Sequence, residues 1–108
     1  MLERFRLDGQ AAIVTGAGRG IGAAVALGLA EAGADVVLAA RSIDQLDIVA
    51  GQIRDMGRRA LVIPTDVVDN DAVAALAGAT VEEFGRIDIV INNAGGTAPR
   101  AFLDTTPG

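Results

Sequence analysis

Short apolar segments alternate along the chain with longer segments in which apolar residues recur at helical spacing. The short, mainly apolar segments predict strands at residues 11–15, 35–40, 60–64 and 87–91. The periodic segments predict helices at residues 20–32, 43–56 and 70–84. Because strands of this apolar kind that alternate with helices form parallel sheets covered on both faces, the pattern predicts an α/β fold. Right-handed crossovers make it a Rossmann-like doubly wound parallel sheet with the strand order 3-2-1-4.

The predicted helices carry start and stop signals as well as apolar stripes. Ser42 is the expected N-cap of the second helix, and Asp69 or Asn70 that of the third. Glycines are expected to end the helices, at Gly33, Gly57 and Gly85. The stripes expected to face the sheet are Ile21, Val25, Leu29 and Ala32 in the first helix, Ile43, Leu46, Val49 and Ile53 in the second, and Val73, Leu76, Ala77 and Val81 in the third.

Two glycine-rich loops follow strands that are neighbours in the predicted sheet. Residues 15–22, TGAGRGIG, end strand 1 and open the first helix, and residues 92–96, NNAGG, end strand 4. In the order 3-2-1-4 these two strand ends meet where the winding of the sheet reverses, which is where such folds bind ligands. The N–H groups of a helix N-terminus are suited to a phosphate group. A tight turn without a ligand is the alternative, but the two converging loops favour a pyrophosphate site.

The residues that end strand 2 bear on the choice of nucleotide. NAD-binding folds place an Asp or Glu there to bond the ribose 2′-hydroxyl. This chain has Arg41 and Ser42 instead, while Asp35 opens the strand at the opposite edge of the sheet. A guanidinium can bind a 2′-phosphate through two hydrogen bonds, so NADP(H) is the favoured cofactor and NAD(H) the alternative. Arg19, inside the glycine loop, is a second candidate for that phosphate, although both arginines could instead pair with surface carboxylates.

Asp66 follows strand 3 and is expected at the same edge of the sheet as the glycine loops. Its carboxylate could accept a hydrogen bond from an exocyclic amine such as that of adenine. The alternative is a turn or helix-capping role, which aspartate favours in any case. The residues alone leave both roles open.

The chain lacks the side chains that most often transfer protons at neutral pH. It has no His, Tyr, Lys or Cys, all nine basic residues are arginine, and Ser42 is the only serine. Arginine stays protonated, so it can bind and polarise a ligand but cannot shuttle protons. No residue is therefore assigned a catalytic role, and no metal site is expected.

Charge and hydropathy argue against two classes of partner. The net charge of −5 leaves no basic stripe for nucleic acid. No uncharged run is longer than that of residues 20–30, which is shorter than the roughly 20 apolar residues that a membrane span requires. The first residues are charged and lack the apolar core of a signal peptide, so a cytoplasmic location is expected.

Three motifs in order resemble the N-terminal part of short-chain dehydrogenases/reductases, and the resemblance covers nearly the whole chain. The family's Thr-Gly-x-x-x-Gly-x-Gly is matched by Thr15, Gly16, Gly20 and Gly22. Its Asn-Asn-Ala-Gly is matched at residues 92–95, and its acidic residue after strand 3 by Asp66, which Val67 follows. The resemblance implies a nicotinamide-dependent oxidoreductase acting on alcohols and carbonyls.

The same resemblance assigns cofactor-binding roles to residues of this chain. The pyrophosphate would lie on the segment that contains Gly16, Gly18, Arg19, Gly20, Ile21 and Gly22. Asp66 and Val67 would meet the adenine, and Asn93, Ala94 and Gly95 would flank the adenosine ribose and the approach to the nicotinamide. Arg41 matches the pattern of NADP(H)-preferring members, with Arg19 as a further candidate.

The family also uses catalytic groups that this chain does not contain. They are a Ser, a Tyr-x-x-x-Lys pair and a helical Asn, all beyond strand 4, whereas Tyr and Lys are absent here and Ser42 lies elsewhere. Residues 1–108 are therefore expected to form an incomplete NAD(P)-binding Rossmann domain that has no activity by itself. The parent enzyme would be a homo-oligomer with a small-molecule alcohol or carbonyl substrate. The alternative is a nucleotide-binding or self-associating module without catalysis.

Overall fold

Four parallel strands form the centre of the fold in a computed structural model, which describes residues 6–18 and 20–93. They are β1 (Ala11–Thr15), β2 (Asp35–Ala40), β3 (Ala60–Pro64) and β4 (Ile89–Asn92). Their spatial order is β3-β2-β1-β4, and in the register of the sheet Ile13 of β1 lies beside Val37 of β2 and Val90 of β4. The predicted fold class and strand order are confirmed.

Helices cover both faces of this sheet in the described part of the chain. They are α1 (Gly20–Glu31), α2 (Ile43–Asp55) and α3 (Asn70–Phe84). Because side chains alternate along a strand, Leu38 of β2 packs with α1 and α2 on one face, whereas Val37 packs with Leu76 of α3 on the other. None of the helices described is both long and apolar enough to cross a membrane.

Most predicted helix ends agree with the structure to within a residue. Asp69 is the N-cap of α3, and its side chain accepts hydrogen bonds from the backbone N–H groups of Asp71 and Ala72. Ser42 occupies the N-cap position of α2, but its side chain makes no capping hydrogen bond. Gly85 has the left-handed conformation that ends α3, so this predicted stop is confirmed.

The fourth strand begins two residues later than the predicted range of 87–91. Asp88 closes the start of the β1–β4 pair in another way: its backbone N–H donates to the Ala11 carbonyl at 2.9 Å. Its carboxylate in turn accepts from the Ala11 N–H at 2.9 Å. Asp88 and Ala11 are therefore joined by one backbone bond and one side-chain bond, and the regular ladder starts at Ile89.

The predicted stripe of α1 is wrong as a whole, although Leu29 of that stripe packs against the core and is partly buried. The residues buried against the sheet are Gly22, Ala26 and Ala30, whereas Ile21 is 73% exposed. Because α1 is apolar on nearly every side, its periodicity says little about which side faces inward. Small residues face inward because they let the helix axis approach the sheet closely.

The stripes of the other two helices are partly right. Leu46, Val49 and Ile53 of α2 are buried as predicted, but Ile43 in its first turn is 47% exposed. In α3, Leu76 is fully buried, whereas Val81 is 49% exposed and the neighbouring Thr80 is buried in its place. The Thr80 hydroxyl is satisfied there by a 2.8 Å hydrogen bond to the Leu76 carbonyl.

Candidate functional site

The loop between β1 and α1, called the glycine loop below, turns sharply at two glycines. Gly16 and Gly20 both have a φ of +62°, a left-handed conformation that residues with a Cβ rarely adopt. The turn brings the chain directly into the first turn of α1, which contains no acidic residue. Arg19, the second arginine predicted to reach a phosphate, lies outside the described residues.

The end of β4 is joined to this loop through a buried hydroxyl. Thr15, at the end of β1, is fully buried, and its Oγ1 donates to Oδ1 of Asn92 at 3.0 Å. The same oxygen accepts from the backbone N–H of Asn93 at 2.9 Å. The Asn93 side-chain amide reaches the Gly16 carbonyl at 3.5 Å. The two loops therefore meet as expected up to residue 93, and Ala94 and Gly95 lie outside the described residues.

Gly22 lies beneath the glycine loop rather than in the cleft that the loop borders. A Cβ at this position would collide with the Gly16 carbonyl oxygen and would lie 2.7 Å from Nδ2 of Asn93. Gly22 therefore lets α1 approach the contact between the two loops. Its role in the structure is to make room for the site.

The end of β2 presents polar side chains that are not used within the fold. Arg41 and Ser42 are exposed, and Arg41 makes no hydrogen bond or ion pair with any described residue. The acidic residue of this strand, Asp35, lies at the opposite end of β2, where Arg59 pairs with it at 2.8 Å. The expectation that Asp35 faces away from the site is confirmed.

Asp66 has a local structural role at the end of β3. Its Oδ1 accepts a hydrogen bond from the backbone N–H of Val68 at 3.2 Å, which is the turn geometry that the sequence offered as an alternative. Its Oδ2 accepts no hydrogen bond from a described residue. One carboxylate oxygen therefore shapes the turn, and the other is available to a ligand.

These strand ends enclose an open cleft of about 730 Å³. The predicted site residues that line it are Gly16, Gly18, Gly20, Arg41, Ser42, Asp66, Val67 and Asn93. Ile21 and Gly22 are not among the residues lining the cleft. The cleft is also lined by residues that the sequence analysis did not identify: Ala40, Gln45, Thr65 and Val68.

For Gln45, one of these missed residues, the sequence pattern indicates a place at the start of a helix. Gln45 stands three residues after Ser42, which is the Ser-x-x-Gln spacing of a helix capping box. Thr65 and Val68 follow from the position of β3, because they flank Asp66 and Val67 in the same turn. The charged side chains lining the cleft in the described part of the chain are Arg41 and Asp66, so the arrangement offers binding groups rather than a proton-transfer pair.

Comparison with known proteins gives the site a context. The family model for short chain dehydrogenase matches residues 10–107 of this chain. An uncharacterized oxidoreductase of Mycobacterium tuberculosis is 51% identical over 106 residues, which are 98% of this chain and 40% of the relative.

Solved structures share the fold as well as the sequence. A metagenomic short-chain oxidoreductase in complex with NADP has a TM-score of 0.78 and 46% identity, over 82% of this chain and 40% of that one. A 7α-hydroxysteroid dehydrogenase complexed with NADH and 7-oxo glycochenodeoxycholic acid has a TM-score of 0.84 and 39% identity, over 87% and 37%.

The chain thus spans about 40% of the length of the proteins it matches. The family model covers nearly all of its residues, including both glycine-rich loops and the turn after β3. The chain therefore belongs to the short chain dehydrogenase family, as the three motifs predicted.

Proposed function

We propose that this chain forms the coenzyme-binding half of an oxidoreductase that uses NADP(H) and acts on an alcohol or carbonyl substrate. The observation that carries the proposal is the cleft in which the unpaired Arg41 and the glycine loop face a common space. Its volume of about 730 Å³ falls within the roughly 300–1,000 Å³ typical of small-molecule and cofactor sites. The bound coenzyme would carry the hydride, and this chain would hold and orient it.

The glycine loop suits the pyrophosphate of a dinucleotide. Gly16, Gly18 and Gly20 line the cleft without side chains, so a phosphate group could approach the backbone N–H groups directly. The first turn of α1 has no acidic residue that would repel or compete with an anion there. A pyrophosphate therefore fits this part of the cleft both sterically and electrostatically.

Arg41 is the residue on which the preference for NADP(H) rests. Solved relatives contain either NADP or NADH, so family membership by itself does not select a coenzyme. The preference for NADP(H) rests on Arg41 and Ser42, which stand at the end of β2 where an acid would favour NAD. An exposed guanidinium that pairs with none of the described residues is well suited to bind a 2′-phosphate through paired hydrogen bonds.

The remaining cleft residues suit the adenosine part of the coenzyme. Oδ2 of Asp66 is available to accept a hydrogen bond from the adenine amine, and Val67 offers an apolar contact beside it. Asn93 is fixed by Thr15 and Gly16 at the border between the two loops, next to where the ribose would lie. Arg19, Ala94 and Gly95 belong to the proposed site by family resemblance.

The test is a calorimetric titration of the whole protein with NADPH and with NADH. Arg41→Asp should weaken NADPH binding by about 2–3 kcal/mol, because it removes charge-assisted hydrogen bonds and adds a repulsion. NADH has no 2′-phosphate, so its binding should change much less.

Arg54→Asp is the charge-matched control for this experiment. Arg54 lies in the last turn of α2 and bonds the Ala60 carbonyl, away from the residues that line the cleft. This control should leave the ratio of NADPH to NADH affinity unchanged. An unaltered NADPH affinity in Arg41→Asp would refute the proposed role of Arg41.

The substrate class and the assembly belong to the proposal too. Alcohols and carbonyls are expected from the family, and catalytic groups would have to come from outside residues 1–108. The isolated 108-residue chain is accordingly expected to oxidise no NADPH with a carbonyl substrate. A homo-oligomer is expected for the whole protein, and analytical ultracentrifugation would test it.

A further inference from the structure

Gln45 is a cleft residue without an assigned role. It lies in the first turn of α2, is half-buried, and lines the same cleft as the glycine loop. Its carboxamide makes no hydrogen bond with any described residue. A polar side chain is therefore held partly inside the cleft without a polar partner.

Gln45 is held there by contact with the glycine loop. A methyl group at Gly18 would lie 2.9 Å from both Cβ and Oε1 of Gln45, which is closer than such atoms approach in proteins. Gly18 does not belong to the glycines with positive φ, unlike Gly16 and Gly20. Gly18 is therefore needed for the space that the Gln45 side chain occupies, and not for its backbone conformation.

Ser42 and Gln45 have the spacing of a capping box, but the box does not form. In a capping box the serine and glutamine side chains each bond a backbone N–H of the first turn. Here Ser42 makes no side-chain cap bond, and Gln45 packs on the loop after β1 instead. The first turn of α2 is thereby in contact with the glycine loop at Gly18.

We propose that Gln45 is a positioning residue that fixes the glycine loop relative to the start of α2. This inference rests on the proposed function, because it concerns how the same site binds a dinucleotide. The glycine loop would hold the pyrophosphate, and Arg41 and Ser42 would hold the 2′-phosphate. Gln45 packs against Gly18 of the glycine loop and belongs to the helix that Ser42 precedes, so it would set the separation of the two groups before the coenzyme arrives.

This role predicts a result that separates Gln45 from Arg41. The pyrophosphate is common to NADPH and NADH, so a displaced glycine loop should weaken both coenzymes by the same factor. Arg41 acts on the 2′-phosphate, so its loss should weaken NADPH alone. Equal losses for the two coenzymes are therefore the signature of a positioning role for Gln45.

The experiment measures NADPH and NADH affinities of the whole protein by calorimetry, for the wild type and for Gln45→Ala. We expect both affinities to fall by about fivefold to tenfold, which is the effect of losing a modest contact in a binding site. Gln45→Met keeps an unbranched side chain of similar length and should restore most of the affinity. Gln52→Ala, an exposed glutamine of the same helix, is the control and should change neither affinity.

Gly18→Ala tests the contact from the other side. The added methyl group must displace Gln45 or the loop, so it should also weaken both coenzymes equally. Combining it with Gln45→Gly, which removes both clashing atoms, should recover part of the loss. Melting temperatures without coenzyme would report separately on the stability of each variant.

The outcomes distinguish this inference from the proposed function. If the wild type binds neither coenzyme, the proposed function fails and this inference fails with it. If the wild type binds NADPH and Gln45→Ala binds it equally well, the positioning role alone is wrong. A loss confined to NADPH would also overturn it, because Gln45 would then act on the 2′-phosphate directly.

Discussion

The two edges of the parallel sheet use their charged residues in opposite ways. At the amino edge, where the strands begin, Arg59 pairs with Asp35 at 2.8 Å and Arg86 with Asp88 at 2.7 Å. At the carboxyl edge, where the strands end, Arg41 pairs with no described residue. The same residue type thus completes the fold at one edge and remains available at the other.

The acids of the amino edge also close backbone hydrogen bonds. The Asp35 carboxylate accepts from the Arg59 backbone N–H at 3.1 Å as well as from the Arg59 side chain. The Asp88 carboxylate accepts from the Ala11 N–H in the same manner. The contacts of Asp35 with Arg59 and of Asp88 with Ala11 connect neighbouring strands at their starts, so they stabilise the fold.

At the carboxyl edge, by contrast, glycines let neighbouring segments approach one another closely. Gly22 lets α1 come within contact of Gly16 and Asn93, and Gln45 occupies the space beside Gly18. The side chains of Arg41 and Ser42, at this edge, make no capping bond or ion pair with the described residues. The polar groups on which the proposed function rests therefore lie at the carboxyl edge, on side chains that do not pair with the described residues.

The largest effect is expected from breaking the carboxyl edge at Gly22. Gly22→Ala should lower the free energy of unfolding by about 1–3 kcal/mol, because its Cβ has no room against Gly16 and Asn93. It should also weaken NADPH binding, since both loops must shift. Urea denaturation and calorimetric titration measure the two effects.

Gly28→Ala is the matched control on the same helix. No atom lies within 4 Å of a Cβ at Gly28, and the residue is exposed. The substitution should therefore stabilise the protein by about 0.5–1 kcal/mol through helix propensity. If the two variants unfold at the same urea concentration, close packing at Gly22 does not limit the site.

The amino edge is broken by Arg59→Ala. This residue pairs with Asp35, and its guanidinium lies 4.7 Å from the centre of the Phe84 ring. Because Arg59 is largely exposed, we expect a loss of only about 1 kcal/mol in unfolding free energy. NADPH affinity should stay at the wild-type value.

Arg41→Ala is the corresponding substitution at the carboxyl edge. It should lower NADPH affinity and leave the unfolding free energy unchanged, because Arg41 makes no hydrogen bond or ion pair with the residues that the structure describes. Denaturation curves and titrations of both variants would check the crossed pattern. Binding lost in Arg59→Ala, with its stability intact, would contradict the division between the two edges.

The smallest effect concerns the pH dependence of the amino edge. The Arg86 side chain, which bonds the Asp88 carboxylate, lowers the pKa of Asp88 below its ordinary value of 3.8, and the Ala11 N–H acts in the same direction. Because the folded protein binds this proton less readily than the unfolded chain, Asp88 stabilises the fold above pH 3.8. That contribution is lost as the pH falls through the lower pKa of the folded state.

Asp88→Asn should therefore reduce stability at neutral pH and make the acid-induced loss of stability shallower. Asp47→Asn, at an exposed position of α2, serves as the control. Thermal melts at a series of pH values compare the two variants. Parallel stability curves for Asp88→Asn and the wild type would show that the Arg86 pair has no such effect.

The sequence was sufficient for features that depend on neighbouring residues. Mainly apolar runs marked β1, β2 and β3 at their observed bounds, since the central strands of a covered parallel sheet contain few polar residues. Glycines marked the helix ends. The edge on which Arg41 and Asp66 lie followed from strand direction alone, because parallel strands all end at one edge.

Only the tertiary structure decided which sides of these elements touch. The inward face of α1 could not be read from a helix that is apolar all round, and packing selected Gly22, Ala26 and Ala30. Ser42 and Gln45 have the spacing of a capping box, but no capping bond forms, and Gln45 packs instead against Gly18 from another part of the chain. Local patterns report the preferences of a segment, whereas the final contacts depend on the space that distant segments leave.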